Sequence, residues 1–267
     1  MKQRIDILLV QAGLAGGRDR AKALIMAGQV YADGVQMTKP GQEVERSAAL
    51  EVRENPIPWV SRGGLKLQKA LEIFPISLTD AACADIGAST GGFTDCMLSH
   101  GAARVYAVDV GYGQLAWKLR EDPRVISLER TNARYLTAAQ IPQSLDFIGA
   151  DVSFISLSLL FPVFHTLLAQ KGQAVCLVKP QFEAGREKVG KNGVVRDPAV
   201  HLEVLERICK QATGQGFSLR GLSFSPVRGP RGNIEYLLYL SNDEDAENFG
   251  EELIKSIVRS AHEELNQ

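Results

Sequence analysis

Residues Cys83–Asp109 read C-A-D-I-G-A-S-T-G-G-F-T-D-C-M-L-S-H-G-A-A-R-V-Y-A-V-D. A short apolar run ends in Asp85. Gly87, Ser89, Thr90, Gly91 and Gly92 follow as a loop, and a helical pattern runs from Phe93 to about Ser99 before Gly101 stops it. A second apolar run, Val105 to Val108, ends in Asp109. Strand, glycine loop, helix and strand in that order make the βαβ unit of a doubly wound sheet. Glycine lets such a loop turn sharply and brings backbone close to a ligand, because it carries no Cβ. The acid closing the second strand stands where these folds hold a pair of ribose hydroxyls.

The loop excludes two common ligand classes. Its glycines do not have the G-x-G-x-x-G spacing of a dinucleotide site, and no G-K-[ST] follows to make a phosphate loop. Asp85, ahead of the glycines, would repel a pyrophosphate and suits a ligand with a positive end. The form D-x-G-x-x-x-G-G with an acidic strand end resembles motif I of S-adenosylmethionine-dependent methyltransferases. That resemblance implies cofactor contacts from Asp85, Gly87, Ser89, Thr90, Gly91, Gly92, Phe93 and Asp109. The competing reading is an ordinary tight turn between strand and helix.

Downstream, Gly111–Leu115 leads a helix to about Leu119, and Val125–Leu128 is the third strand. Asn132 follows it, where an amide could read an adenine edge or simply make a turn. Leu145–Ala150 is the fourth strand and ends at Asp151; a helix is expected from about Ser156 to Leu168. Ala174–Val178 is the fifth strand and ends at Lys179. Ligands of open α/β sheets lie outside the carboxyl ends of the strands. Asp85, Asp109, Asp151 and Lys179 are therefore expected around one crevice. Residues 181–197 are glycine-interrupted and basic, with Arg186 and Lys188, and read as a substrate-side flap. A helix over about 198–212 and strands over 217–225 and 234–240 complete the pattern. Between those strands lies a basic turn with Arg228 and Arg231, and Glu235 opens the last strand. The acidic C-terminal stretch has Phe249, Leu253 and Ile257 at helical spacing and is expected to pack as a terminal helix.

Upstream, residues 1–55 form a separate small module. Ile5, Leu8, Leu9 and Ala12 mark one helix and Ala21, Leu24 and Ile25 a second, over Arg18–Ala27. Gln29–Ala32 and Val35–Met37 pair across a turn at Asp33-Gly34. Arg4-Ile5-Asp6, Leu9, Gly13, Arg18 to Ala23, Leu24-Ile25, Gly28, Val30 and Asp33-Gly34 resemble the alpha-L RNA-binding motif over about the first 50 residues. The RNA contacts this implies are Arg4, Arg18, Arg20 and Lys22; the competing reading is a two-helix cap kept soluble by its bases. Residues 56–60 read as a proline-stiffened linker, with Trp59 expected to pack at the domain junction. Ser61 is positioned to cap a helix over about 62–73, with Leu67, Ala70, Leu71 and Phe74 on its buried stripe. Arg62 precedes it as a further basic candidate. Lys66 and Lys69 sit one turn apart, and spacing alone does not choose between them.

The whole chain sets further bounds. At 267 residues, with 45% hydrophobic and 23% charged residues, it has the composition of a soluble globular protein. No apolar run reaches the roughly 18 residues of a membrane span, and the N-terminus reads as neither signal peptide nor anchor. The four cysteines lack C-x-x-C pairing and the four histidines are scattered, so no metal is expected and the thiols read as free in a reducing cytoplasm. Eight acids and two bases fall in residues 241–267, leaving 28 basic and 23 acidic residues in 1–240. That mildly basic body suits a nucleic-acid partner.

Lys66, Asp151, Lys179 and Glu235 resemble the K-D-K-E tetrad of FtsJ-class ribose 2′-O-methyltransferases. Together with Ser61-Arg62-Gly63-Gly64-Leu65-Lys66, Val110–Trp117, Glu129–Arg134, Asp151–Leu157 and Val178–Ala184, the chain resembles the TlyA, or hemolysin A, family of rRNA cytidine-2′-O-methyltransferases. The family pattern S-R-G-x-x-K selects Lys66 over Lys69; Gly64-Leu65 departs from the Ala-His of many relatives. The resemblance implies a Rossmann-like methyltransferase domain over 61–267, with a doubly wound, mostly parallel seven-stranded sheet, behind a small α+β alpha-L domain. It also implies S-adenosylmethionine as cofactor, with Asp151 and Asn132 among its contacts. Ribosomal RNA in ribosomal subunits is the implied partner, with Arg62, Arg186, Lys188, Arg228 and Arg231 on the RNA side. A cytoplasmic monomer or weak dimer with no stable membrane association is expected. A ribose hydroxyl must lose its proton as the methyl arrives, and a lysine accepts one only when its pKa is depressed by desolvation or a nearby cation. Lys179, at a buried strand end with Lys66 near it, is the candidate. Two readings compete: a pore-forming cytolysin, against which the acidic tail stands, and a ribosome-binding protein with an inactive methyltransferase domain, against which the complete tetrad stands.

Overall fold

The computed structural model describes residues 2–26, 28–53, 57–243 and 247–265. Ala27 at the end of the second expected helix, Pro56 of the expected linker, and Glu244 and Asp245 of the acidic stretch lie outside the described residues. The chain divides into two compact units, Met1–Ser61 and Arg62–Gln267.

The smaller unit places helices Ile5–Gln11 and Arg18–Met26 over short antiparallel strands. Ile5, Leu9, Ala21, Leu24, Ile25 and Val30 make its core. Val30–Ala32 pairs with Val35–Gln36, and also with Leu50–Val52, a strand the turn signals did not announce. Lys2–Arg4 pairs with Glu43–Glu45, which the local pattern also missed. Strands this short carry too few side chains to show an alternation.

In the larger unit the strands are β1 (Ala82–Ile86), β2 (Arg104–Val108), β3 (Val125–Leu128), β4 (Leu145–Ala150), β5 (Leu168–Val178), β6 (Ser218–Phe224) and β7 (Tyr236–Ser241). They form one sheet in the order β6-β7-β5-β4-β1-β2-β3. All neighbours are parallel except β7, which runs antiparallel to both β5 and β6. The helices are α1 (Gly63–Ile73), α2 (Gly92–Ser99), α3 (Trp117–Arg120), α4 (Phe161–Leu167), α5 (Pro180–Glu183), α6 (Pro198–Thr213) and α7 (Glu251–Leu265). Central strands buried on both faces read as continuous apolar runs, which is why β1, β4 and β5 were visible in the sequence.

Five local expectations are corrected. The segment after Asp109 is irregular until α3 begins at Trp117, because the Asp109 carboxylate draws the Gly111 amide into a turn. The helix expected over 156–168 is a 3₁₀ turn, Leu157–Leu159, followed by α4. There Pro162 sits in the first helical turn, the place where its missing N–H costs nothing. The fifth strand begins earlier than expected, at Leu168, across an irregularity between Leu168 and Gln173. Ser61 does not cap α1, whose N-cap position is Arg62 with no side-chain bond. In α7 the buried residues are Ile254, Val258 and Ala261, with Leu253 and Ile257 only partly covered; Phe249, also partly covered, precedes the helix.

Candidate active site

Sheet register builds the site. On β4, β5 and β7, Cys176 lies opposite Ala150 and Val178 opposite Tyr236. The residues one step beyond, Asp151, Lys179 and Glu235, therefore emerge together at one edge. Glu235 reaches it because β7 is antiparallel, so the start of that strand meets the carboxyl ends of its neighbours. Helix α1 brings Lys66 onto the same edge. Its ammonium donates to Glu235 Oε2 at 2.7 Å and to Asp151 Oδ2 at 3.0 Å. Lys179 Nζ lies 2.5 Å from Asp151 Oδ1. The four side chains thus form one chain, Glu235–Lys66–Asp151–Lys179, and Glu235 is only 2% exposed.

The electrostatics follow from that order. Burial opposes the charge on Lys66, but Asp151 and Glu235 outweigh it and hold the ammonium above the ordinary lysine value. Burial likewise opposes the Asp151 charge, and Lys66 and Lys179 outweigh it, holding the carboxyl below the usual range. Lys66 is therefore a fixed cation. Lys66 was expected near Lys179, and the two share one partner, because the Asp151 carboxylate bonds both lysines. Lys69 is elsewhere, 3.8 Å over the Phe224 ring.

Side chains two residues past the tetrad members complete the edge, and the sequence reading missed them. Ser153 Oγ accepts from Lys179 Nζ at 3.2 Å, and Gln181 Nε2 donates to Glu235 Oε1 at 3.1 Å. Phe154 is 89% exposed at φ +64°, with its ring centroid 4.8 Å from that of Phe182. A phenylalanine in the left-handed region is strained, and such strain gathers at functional sites. Glu183 pins this loop, accepting from the Leu157 amide at 2.9 Å and Ser156 Oγ at 2.8 Å. The spacing of two from Asp151 and Lys179 was the one available signal.

The glycine loop lies along β1 and β2. A Cβ on Gly87 (φ +87°) would stand 2.7 Å from the Asp151 carbonyl oxygen, so this glycine lets β1 and β4 converge as well as turning the chain. Asp109, half-buried, accepts from the Ser89 amide at 2.8 Å and the Gly111 amide at 2.6 Å, which fixes its carboxylate. Asp85 turns inward: its Oδ2 accepts from the Thr94 amide at 2.8 Å and Thr94 Oγ1 at 2.7 Å. Burial pushes its carboxyl up to about 7. Asp85 Oδ1 is buried with no hydrogen-bond partner among the described residues. Phe93 is a core side chain, its ring against Gly149. The half-buried Thr90 offers its carbonyl to the Ala116 amide, and Gly91 and Gly92 are buried at the start of α2. The Asn132 oxygen accepts from the Arg134 amide at 3.1 Å, so it serves the turn.

The basic candidates are dispersed. Arg62, Arg186 and Arg231 are exposed and Arg228 is half-buried. Lys188 is bound to Glu203 at 2.5 and 2.7 Å. Within residues 181–197, Gly193 and Val195 are tied to the basic turn. Asn233 accepts from the Val195 amide at 3.0 Å and donates to the Gly193 carbonyl at 2.8 Å. A Cβ on Gly229 would lie 2.6 Å from Glu235 Oε1, so the turn packs back onto the tetrad. In the smaller unit Arg20 is exposed, Lys22 pairs with Asp19, and Arg4 and Arg18 both bind Asp6.

The chain resembles known proteins in both sequence and fold. The FtsJ-like methyltransferase family matches residues 59–242 and the S4 domain matches residues 3–50. Bacillus subtilis YqxC is 52% identical over 270 residues, spanning 100% of this chain and 96% of that protein. A Mycobacterium tuberculosis protein named 16S/23S rRNA (cytidine-2′-O)-methyltransferase TlyA is 46% identical over 245 residues, 91% of each chain. A solved Streptococcus thermophilus structure carrying a hemolysin name shares 47% identity. It has a TM-score of 0.80 and covers 99% of this chain and 97% of that one.

Proposed function

Since the chain belongs to the FtsJ-like methyltransferase family, we propose that it transfers a methyl group from S-adenosylmethionine to the 2′-hydroxyl of a cytidine in ribosomal RNA. The buried chain Glu235–Lys66–Asp151–Lys179 at the carboxyl edge of the sheet carries this reading. The cytidine and the ribosomal RNA follow from the named Mycobacterium relative. Among the described residues no helix is long and apolar enough to cross a membrane, and no observation favours the cytolysin.

The residues fit the cofactor. Asp109 presents an oriented, half-buried carboxylate to a ribose, and the orphaned Asp85 Oδ1 leaves an acceptor beside the glycine loop. When bound, S-adenosylmethionine would supply an electrophilic methyl for the ribose oxygen, its sulfonium sulfur keeping the electron pair of the broken bond. After giving up its ammonium proton to solvent, Lys179 takes the hydroxyl proton on Nζ, held in place by Ser153 Oγ and Asp151 Oδ1. Lys66 stays charged and fixes Asp151 and Glu235. Phe154 offers an open aromatic face, the kind of surface on which unpaired RNA bases stack.

Radiolabelled methyl transfer from S-adenosylmethionine to separated ribosomal subunits tests the proposal. The expected product is RNA labelled at a cytidine ribose, resistant to alkaline cleavage at that position; label on a base or on protein refutes it. In the same assay Phe154→Ala raises KM for the subunit more than it lowers kcat. A separate measurement addresses the cofactor. Asp109→Ala is expected to weaken S-adenosylmethionine binding about 10–100-fold in calorimetry, the worth of hydrogen bonds to a charged group, with unchanged circular dichroism. Undiminished affinity would place the cofactor elsewhere.

A further inference from the structure

We infer that Asp6 is a positioning residue for RNA contacts made by Arg4 and Arg18. This rests on the reading that the S4 unit docks ribosomal RNA. Arg4 closes the strand Lys2–Arg4, Asp6 lies in the first turn of the helix Ile5–Gln11, and Arg18 opens the helix Arg18–Met26. The Asp6 carboxylate is 0% exposed. Its Oδ1 accepts from Arg4 Nε at 3.0 Å, and its Oδ2 accepts from Arg4 Nη2 at 2.9 Å and Arg18 Nη2 at 3.2 Å. The two arginine side chains remain 45% and 56% exposed. Each guanidinium keeps N–H donors beyond those spent on Asp6, and these are free to face solvent.

The physical case turns on entropy and repulsion. Two arginines brought together repel each other, and each has rotamer freedom to lose on binding a phosphate. A single buried carboxylate removes both obstacles in advance. It neutralises part of the mutual repulsion and fixes the planar forks, so phosphates meet donors already in place. The Arg4 hydrogen bond, with Arg18 assisting, outweighs burial and holds the Asp6 carboxyl at about 2, so the clasp stays ionised at any working pH. The Lys22–Asp19 pair differs, because Asp19 is 98% exposed and that pair is solvated on the surface.

The proposal predicts an effect opposite in sign to simple electrostatics. Asp6→Asn removes a negative charge from an RNA-facing unit and would on charge alone tighten binding. The clasp predicts instead that affinity for purified ribosomal subunits falls about 10-fold and that the salt slope becomes shallower by about one unit. Arg4→Lys keeps the charge but cannot make the two-pronged bond, so it is expected to weaken binding in the same direction; being half-exposed, it spares the fold if Asp6→Asn does not fold. Equal or tighter binding by a folded Asp6→Asn, or by Arg4→Lys, overturns the positioning role. The double substitution of Arg4 and Arg18 by Ala is the control. If it leaves affinity and salt slope unchanged, the docking reading itself fails; if it weakens binding while Asp6→Asn does not, only the clasp fails.

Discussion

Lys179→Ala is expected to lower the rate of methyl transfer about 10²–10⁴-fold, the usual contribution of a positioned general base. S-adenosylmethionine and rRNA affinities should stay close to those of the unaltered protein. The surroundings make the substitution clean. Asp151 keeps its bond to Lys66 at 3.0 Å, so no carboxylate is left without a cation. Lys179→Arg separates proton acceptance from simple charge pairing. An arginine can still face Asp151, but it does not give up its proton in proteins. It should therefore be as inactive as the alanine variant. Single-turnover rates for both, measured with saturating subunits, decide the matter. An active Lys179→Arg would mean that position 179 supplies only charge.

Lys66→Met should be the most destabilising substitution in the site. It leaves Glu235, 2% exposed, with the Gln181 amide in place of an ammonium, and leaves Asp151 with Lys179 alone. Removing one partner of a buried pair costs about 3–5 kcal/mol. The pH dependence has a definite sign. Lys66 has a raised folded pKa, so its contribution is complete below the ordinary lysine value and is lost as pH rises through the folded value. Asp151 has a depressed folded pKa, so its contribution is present above the ordinary aspartate value and is lost as pH falls through the folded one. The stability gap between the unaltered protein and Lys66→Met should thus be widest around neutral pH and narrow in acid. Lys69→Met, which removes a contact with the Phe224 ring, is the comparison and should cost far less. Chemical denaturation at several pH values reads both; equal losses for the two lysines would contradict the placement of Lys66 at the centre of the tetrad.

Much of this protein was legible in its residues. The apolar runs, the glycine loop and the turn residues are signals spread over a few neighbouring positions. They were enough for the α/β class, for β1, β3 and β4 nearly to the residue, and for acids at the strand ends. The family patterns added the tetrad by likeness, including the choice of Lys66. Physical spacing alone could not make that choice, because two lysines three residues apart both fit an amphipathic helix. The tertiary structure made it: one lysine meets carboxylates and the other meets an aromatic ring. Lys66 is 85 residues from Asp151 and 169 from Glu235, and these contacts exist only because the β4-β5-β7 register levels three strand ends under α1. The same holds at smaller scale for Asp6, which the sequence shows as one acid among bases. Its burial between Arg4 and Arg18 depends on how two helices start against each other. Secondary structure is written in local periodicity, whereas charge pairing is set by distances between segments that no local pattern encodes.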